Sequence, residues 1–144
     1  MLFAQQWQFW ALLAAAFAAL TAIFAKLGVQ EIDSDYATFI RTVVVLVLLA
    51  LVLFVTGKWR NPVALPGKAW LFLILSGAAT GASWFAYFRA LKIGDAARVA
   101  PIDKLSIVLV AIFGVIFLGE KLSGLNWFGV VLIMAGALML AMKA

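Results

Sequence analysis

The sequence predicts an all-helical integral membrane protein with five membrane-spanning helices. Hydrophobic residues make up 67% of the chain, charged residues only 12%, and the mean hydropathy is +1.16. A soluble domain of 144 residues needs far more polar side chains to cover its surface. The apolar residues fall in five runs that lack the strict alternation of membrane β-strands, so we expect helices that satisfy the backbone within each run.

The five runs form one transmembrane domain, residues 1–144, because no stretch between them is long enough to be an interdomain linker. The acidic sequence EIDSD separates the first run from the second, GKWRNPVALPGK the second from the third, RALKIGDAAR the third from the fourth, and LSGLN the fourth from the fifth. No basic residue precedes the first run, so we expect a span there and not a cleaved signal peptide. The predicted spans are residues 7–26, 38–56, 69–89, 98–118 and 123–142.

Composition excludes several kinds of chemistry. The chain has no cysteine and no histidine, which removes disulfides, thiolate metal sites and the commonest general base. The sequence also contains no phosphate-binding loop and no nucleophile–base pair, so we expect no enzymatic activity, no metal and no cofactor. The net charge of +5 lies between the apolar runs, where it favours contact with membrane lipids and not with nucleic acid.

Charged couples flank the fourth run, Asp103-Lys104 before it and a Glu-Lys pair beginning at Glu120 after it. Residues 105–119 reach only about 22 Å as a helix, less than a hydrocarbon core of about 30 Å. The helix must therefore include residues from one end. We expect Pro101 to be its first residue, with Asp103 in the first turn, and Glu120 to mark the water interface.

Asp103 and Lys104 are candidate functional charges. Neighbours on a helix diverge by about 100°, so we do not expect these two side chains to face each other. Ser106 shares the Asp103 face. Arg41 precedes a second run that is also short, which places it at or below the interface. Ionisable groups at such depth commonly mark a solute or ion path.

The third run combines small and aromatic residues. Gly77 and Gly81 form a G-x-x-x-G pair that allows close approach of two membrane helices, and Gly114 is expected to pack in the same way. Trp84 and Tyr87 follow this pair. Two interpretations stay open for the aromatic residues: interhelical packing with an interfacial belt, or one wall of a solute cavity.

The basic residues give little orientational bias. Of the eleven, four lie on one side of a five-span chain and seven on the other, several of them at span edges. The positive-inside rule thus leans toward an outside N-terminus. Two interpretations of this weak bias stay open: a chain that inserts in both orientations, or a count that includes edge residues whose side is ambiguous.

Three motifs follow one another in the second half of the chain: A-L-K-I-G at residues 90–94, L-G-E-K-L at 118–122 and G-V-V at 129–131. In this order they resemble the EamA-type repeat of the drug/metabolite transporter superfamily, whose five-span layout matches the whole chain. Members usually carry two repeats of opposite orientation, so the resemblance implies completion by an inverted second copy, with solute bound near the midplane. Residues 14–16 are alanines where four-span multidrug relatives carry a glutamate, so their proton-antiport mechanism is not implied.

The resemblance implies a transporter of small organic metabolites or drugs in a bacterial cytoplasmic (inner) membrane. It would work by alternating access in a homodimer of antiparallel copies. The alternative is a non-transporting assembly partner or a lipid-headgroup binder, which the interfacial positive charge also suits. The predicted solute-binding residues are Arg41, Trp84, Tyr87, Asp103, Lys104 and Ser106.

Overall fold

A computed structural model of the chain describes residues 6–61 and 65–142. In these two ranges the backbone forms helices and no strand. Two of the helices, the fourth and fifth, together make one span-length segment, Ala96–Phe117, so five segments are long and apolar enough to cross a membrane. The predicted all-helical, five-span fold class is confirmed. The helices are α1 (Trp7–Glu31), α2 (Ser34–Val55), α3 (Gly67–Ile93), α4 (Ala96–Asp103), α5 (Ser106–Phe117) and α6 (Gly124–Ala141).

Local sequence signals set several helix ends. The Asp33 carboxylate accepts hydrogen bonds from the backbone N–H groups of Asp35 and the residue after it, at 2.9 and 3.2 Å, and so caps α2. The Ser123 hydroxyl caps α6 by accepting from the N–H of Asn126 at 3.3 Å. Gly119 follows α5 with φ +69°, a left-handed conformation that stops the helix and favours glycine.

The fourth span begins earlier than the sequence suggests. α4 starts at Ala96, with Asp95 in extended backbone at the N-cap, and Pro101 lies inside the helix. The prediction that Pro101 is the first helical residue is wrong, because the Gly94-Asp95 turn already ends one helix and begins the next. Asp103 is the last residue of α4 and does not belong to its first turn.

The fourth span is also interrupted. Between α4 and α5 the N–H of Leu105 donates to the carbonyl of Ile102 at 2.9 Å, and the N–H of Ile107 donates to that of Lys104 at 3.0 Å. Both bonds reach three residues back, which is the tighter 3₁₀ pattern. The span therefore consists of two helical segments that meet at a charged residue.

The chain divides into two compact units, one of Phe24–Lys92 and one of the residues up to Ile23 together with those from Ile93. In the Phe24–Lys92 unit, Val29 of α1 and Leu91 of α3 are completely buried. In the other unit, α4 and α5 both pack against α6.

Most large apolar side chains face outward. Leu46 and Phe54 of α2 are 67% and 78% exposed in the chain by itself. Water contact of such surface is unfavourable by about 25 cal/mol per Å², whereas lipid tails are as apolar as the side chains. The exposed surface is therefore the surface expected to lie in hydrocarbon.

Candidate functional site

Arg41 lies within the apolar helix α2, about 10 Å along its axis from Ser34. Its guanidinium carbon is 4.0 Å from the centroid of the Trp84 ring and 5.6 Å from that of Phe88, both on α3. Arg41 and Trp84 are half-buried, and Phe88 is buried. A cation–π contact thus holds a permanent charge against an aromatic wall. Two predicted site residues, Arg41 and Trp84, are brought together.

The aromatic wall follows from helical spacing. Trp84 and Phe88 are four residues apart on α3, so their rings lie on one face, one above the other. Tyr87 is half-buried beside them, and its ring is 6.5 Å from that of Phe88 in an edge-on arrangement. All three belong to the Phe24–Lys92 unit, as Arg41 does.

A second arginine stacks on α3, but this one is neutralised. Arg89 lies over the ring of Phe85 at 4.1 Å and donates to Asp35 of α2 through Nε at 3.2 Å and a terminal nitrogen at 3.0 Å. This two-pronged geometry is the strong form of an arginine–carboxylate pair. Along the helix axis, Asp35 and Arg41 of α2 are about 9 Å apart, and their partners Arg89 and Trp84 of α3 are about 7.5 Å apart. The two contacts are therefore compatible with antiparallel packing of α2 and α3.

Two lysines cap the C-terminal ends of α1 and α3, each lysine lying on the opposite helix of the pair. Lys92 of α3 donates to the carbonyls of Val29 at 2.7 Å, Gln30 at 3.0 Å and Ile32 at 3.1 Å, at the end of α1. Lys26 of α1 donates to the carbonyl of Leu91 at 2.8 Å, at the end of α3. The last carbonyls of a helix have no partner within it and carry partial negative charge, so an ammonium group stabilises them.

Asp103, Lys104 and Ser106 lie in the other unit, around the break between α4 and α5. The ammonium of Lys104 is 3.2 Å from the Asp103 carboxylate, in an ion pair whose lysine is exposed and whose aspartate is half-buried. The prediction that these side chains do not face each other is wrong. It assumed a continuous helix, whereas α4 ends at Asp103 and the long lysine side chain turns back to it.

The predicted packing glycines differ in their surroundings. Gly77 and Gly81 are exposed, and a Cβ placed on either would meet no atom of the described chain within 4 Å. Gly114 of α5 is buried, and the neighbour it meets is the carboxylate of Glu120. Packing of the Gly77–Gly81 face against another chain stays a prediction.

Glu120 turns back over the end of α5. Its N–H donates to the carbonyl of Gly114 at 3.1 Å, and its Oε2 lies 2.6 Å from the place where a Cβ on Gly114 would stand. The reversal at Gly119 makes this possible. The carboxylate that the sequence assigns to the water interface is therefore also a packing group of the helix end.

Within the described ranges no group of three acidic, histidine or cysteine residues is placed to hold a metal ion. The polar chemistry consists instead of arginine and lysine groups held by rings, carboxylates and backbone carbonyls. Four further residues of this polar arrangement were not predicted from the sequence as site residues: Lys26, Asp35, Arg89 and Lys92. A signal for Arg89 was present, because Phe85 precedes it by four residues, the spacing at which a helical arginine reaches a ring.

Comparison with known proteins adds the family. The EamA-like transporter family matches residues 5–142. A protein of Sinorhizobium sp named "Uncharacterized transporter in cobO 3′ region" is 70% identical over 137 residues, which cover 95% of this chain and 97% of the relative. A Vibrio cholerae serotype O1 protein named "Uncharacterized transporter" is 29% identical over 99 residues, or 67% of this chain and 32% of the relative. No solved structure matches.

Proposed function

This chain belongs to the EamA-like transporter family, and from that premise we propose that it moves small organic metabolites or drugs across the membrane by alternating access. The two relatives named above are both transporters by name, which supports the class of activity but names no solute.

The observation that carries the proposal is Arg41 against Trp84. A permanently charged group about 10 Å into an apolar helix is unfavourable in hydrocarbon, and such residues characteristically lie on a solute or ion path. Its half-buried position over an aromatic ring at 4.0 Å gives a small solute both charge and an apolar surface. Pockets for small molecules combine these two kinds of contact.

We assign the solute-path residues in each unit separately. In the Phe24–Lys92 unit, Arg41 supplies charge and Trp84 and Tyr87 supply aromatic surface. In the other unit, the Asp103–Lys104 pair at the α4–α5 break supplies charges that can exchange partners, and Ser106 adds a hydroxyl. A helix interrupted at membrane depth is a common place for solute contacts in transporters.

The working unit we propose is a homodimer of antiparallel copies. The Sinorhizobium relative has about the length of a single repeat, and the Vibrio relative is matched over only about a third of its own length. The resemblance of the motifs implies two repeats of opposite orientation, which one such chain supplies by pairing with an inverted copy. The open Gly77–Gly81 face offers a surface for close helix contact between copies.

The membrane we propose is the bacterial cytoplasmic membrane. The relatives come from bacteria, and the five spans are helices, whereas spanning proteins of the bacterial outer membrane are typically β-barrels.

Water access to introduced cysteines tests transport, since the chain has no native cysteine. Single cysteines replacing Trp84 or Ser106 should react with a water-soluble maleimide, and solute should change the rate of labelling. A cysteine replacing Leu46, which faces outward on α2, is the matched lipid-facing control and should stay unreactive. Protection of both test positions would favour the alternative, a non-transporting assembly partner or lipid-headgroup binder.

Cysteines added at each terminus test dual insertion. Each terminal cysteine is labelled from one side of a sealed membrane at a time. With dual insertion, each terminus should be labelled in one population of molecules from one side and in a second population from the other side. One uniform population would contradict the antiparallel dimer.

A further inference from the structure

We propose that Arg41 binds an oxyanion, a carboxylate or phosphate group, and that the solute carried by the proposed transporter is therefore an anion. That the bound anion is a transported solute rests on the proposed function. The binding site itself follows from the geometry of Arg41 and its neighbours.

Two arginines that stack on rings of α3 differ in burial and in hydrogen-bond partners: Arg41 is half-buried, whereas Arg89 is exposed. Arg41 and Arg89 both stack on rings of α3, at 4.0 and 4.1 Å. Arg89 donates two hydrogen bonds to the carboxylate of Asp35, through Nε and a terminal nitrogen. The contact of Arg41 with Trp84 uses the charge of the guanidinium and none of its N–H donors. Across residues 6–61 and 65–142, the structure assigns those donors no acceptor.

No carboxylate of the described part of the Phe24–Lys92 unit forms an ion pair with Arg41. The Phe24–Lys92 unit contains three acidic residues. Asp35 is held by Arg89, Asp33 caps the start of α2, and Glu31 is exposed at the end of α1. A half-buried guanidinium without a counter-charge is unfavourable, and an anion from outside removes that cost.

The charge on the Arg41 side of this unit is also positive. The loop lysines and arginine at residues 58–68 lie at the opposite ends of the second and third spans. On the Arg41 side the unit has three acidic residues and four basic ones, Lys26, Arg41, Arg89 and Lys92. This net positive charge favours an anion over a cation at the site.

The geometry of the guanidinium selects the kind of anion. Its planar fork of N–H groups matches the two oxygens of a carboxylate or phosphate, and lysine offers no such fork. Trp84 and Phe88 fix the position of the fork, so that less side-chain freedom is lost when an anion binds. The solute class that fits is a small organic acid or phosphate ester.

Benzoate binding to the purified full chain in detergent tests the proposal by isothermal titration calorimetry, with benzamide as the uncharged match. Benzoate should bind saturably and benzamide should not. Arg41→Gln should weaken benzoate binding about tenfold or more, since a charge-assisted hydrogen bond is lost. Arg41→Lys should recover part of the affinity. Arg60→Gln, an exposed loop arginine, is the charge-matched control and should bind as the unaltered chain does.

Lipid headgroups carry the same phosphate chemistry, so a second arm separates the two sources. Native mass spectrometry of the chain from phosphatidylglycerol and phosphatidylcholine vesicles measures retained lipid. Retained lipid that is lost in Arg41→Gln, together with no benzoate binding, supports the oxyanion site and assigns it to headgroups. Arg41→Gln indistinguishable from the unaltered chain for benzoate, inorganic phosphate and lipid would overturn the site.

Flux measurements distinguish a failure of the anion inference from a failure of the proposed transport function. If proteoliposomes move neutral or cationic solutes equally well with Arg41 or Gln at position 41, transport stands and the anion inference is wrong. If benzoate binds through Arg41 but proteoliposomes move no solute of any charge, the oxyanion site stands and the transport proposal is wrong.

Discussion

The carboxylate of Glu120 occupies the space of the side chain that Gly114 lacks, with Oε2 2.6 Å from the position of a Cβ. The glycine and the glutamate are thus a matched pair across the last turn of α5. The hydrogen bond from the Glu120 N–H to the Gly114 carbonyl fixes the backbone on the same pair.

Gly114→Ala tests this pairing in a double-mutant cycle with Glu120→Ala. Alanine favours a helix over glycine by about 1 kcal/mol, but beside Glu120 its methyl group must displace the carboxylate. We expect little change in unfolding free energy with Glu120 present, and a gain of up to about 1 kcal/mol with Ala at position 120. Thermal unfolding in detergent, followed by helical circular dichroism, measures both. Equal effects in the two backgrounds would show that the side chains do not interact.

Gly119→Ala should destabilise the protein, because Gly119 has φ +69° and a Cβ is disfavoured there. We expect a loss of about 1–2 kcal/mol in the same unfolding assay. Gly136→Ala is the control, since Gly136 lies in helix α6 and a Cβ there meets nothing within 4 Å. A loss as large at Gly136 would mean that the turn conformation is not the cause.

Lys92→Met should loosen the end of α1, because three carbonyl groups lose their donor at once. Part of each bond is exposed to solvent, so we expect a loss of about 1–2 kcal/mol in unfolding free energy. Hydrogen exchange should rise in the last turn of α1 and not in α6. Lys121→Met, at an exposed lysine, is the control. Unchanged exchange at residues 29–32 would contradict the capping role of Lys92.

Asp103→Asn and Lys104→Met should each abolish solute flux in proteoliposomes while expression and dimer formation stay intact. Either change removes one member of the ion pair at the break between α4 and α5. Lys121→Met, which alters the couple at the other edge of the fourth run, should transport normally. Full flux in both variants would remove these two residues from the proposed site.

Hydropathy was sufficient to predict five helical segments long and apolar enough to cross a membrane, because a helix in lipid needs little more than a long apolar run. The two predictions that were wrong treated one segment of sequence at a time. Pro101 is a good first residue in isolation, yet Asp95 starts the helix before it. Lys104 points away from Asp103 on a regular helix, but the helix is not regular there.

In the candidate site, the sequence of one helix predicts which residues are functional, but their contacts depend on how two helices pack. Arg41 and Trp84 were each identified by type and depth, whereas their contact depends on α2 and α3 being antiparallel neighbours in register. The Arg89–Asp35 pair depends on that register as well. Gly114 was predicted to receive a neighbouring helix, and only the turn at Gly119 reveals that Glu120 takes the place.

The reciprocal lysines have a consequence for biosynthesis. Lys92 is 63 residues beyond Val29, so the ribosome makes the donor long after α1 has left the exit tunnel. Until α3 is inserted, the first helix enters the membrane with its final carbonyls solvated by water or headgroups, and Lys26 lacks the Leu91 carbonyl. Insertion of the third span is the event that supplies these contacts to the end of α1. In a nascent chain that ends before residue 92, the last carbonyls of α1 therefore lack the lysine donor that holds them in the folded protein.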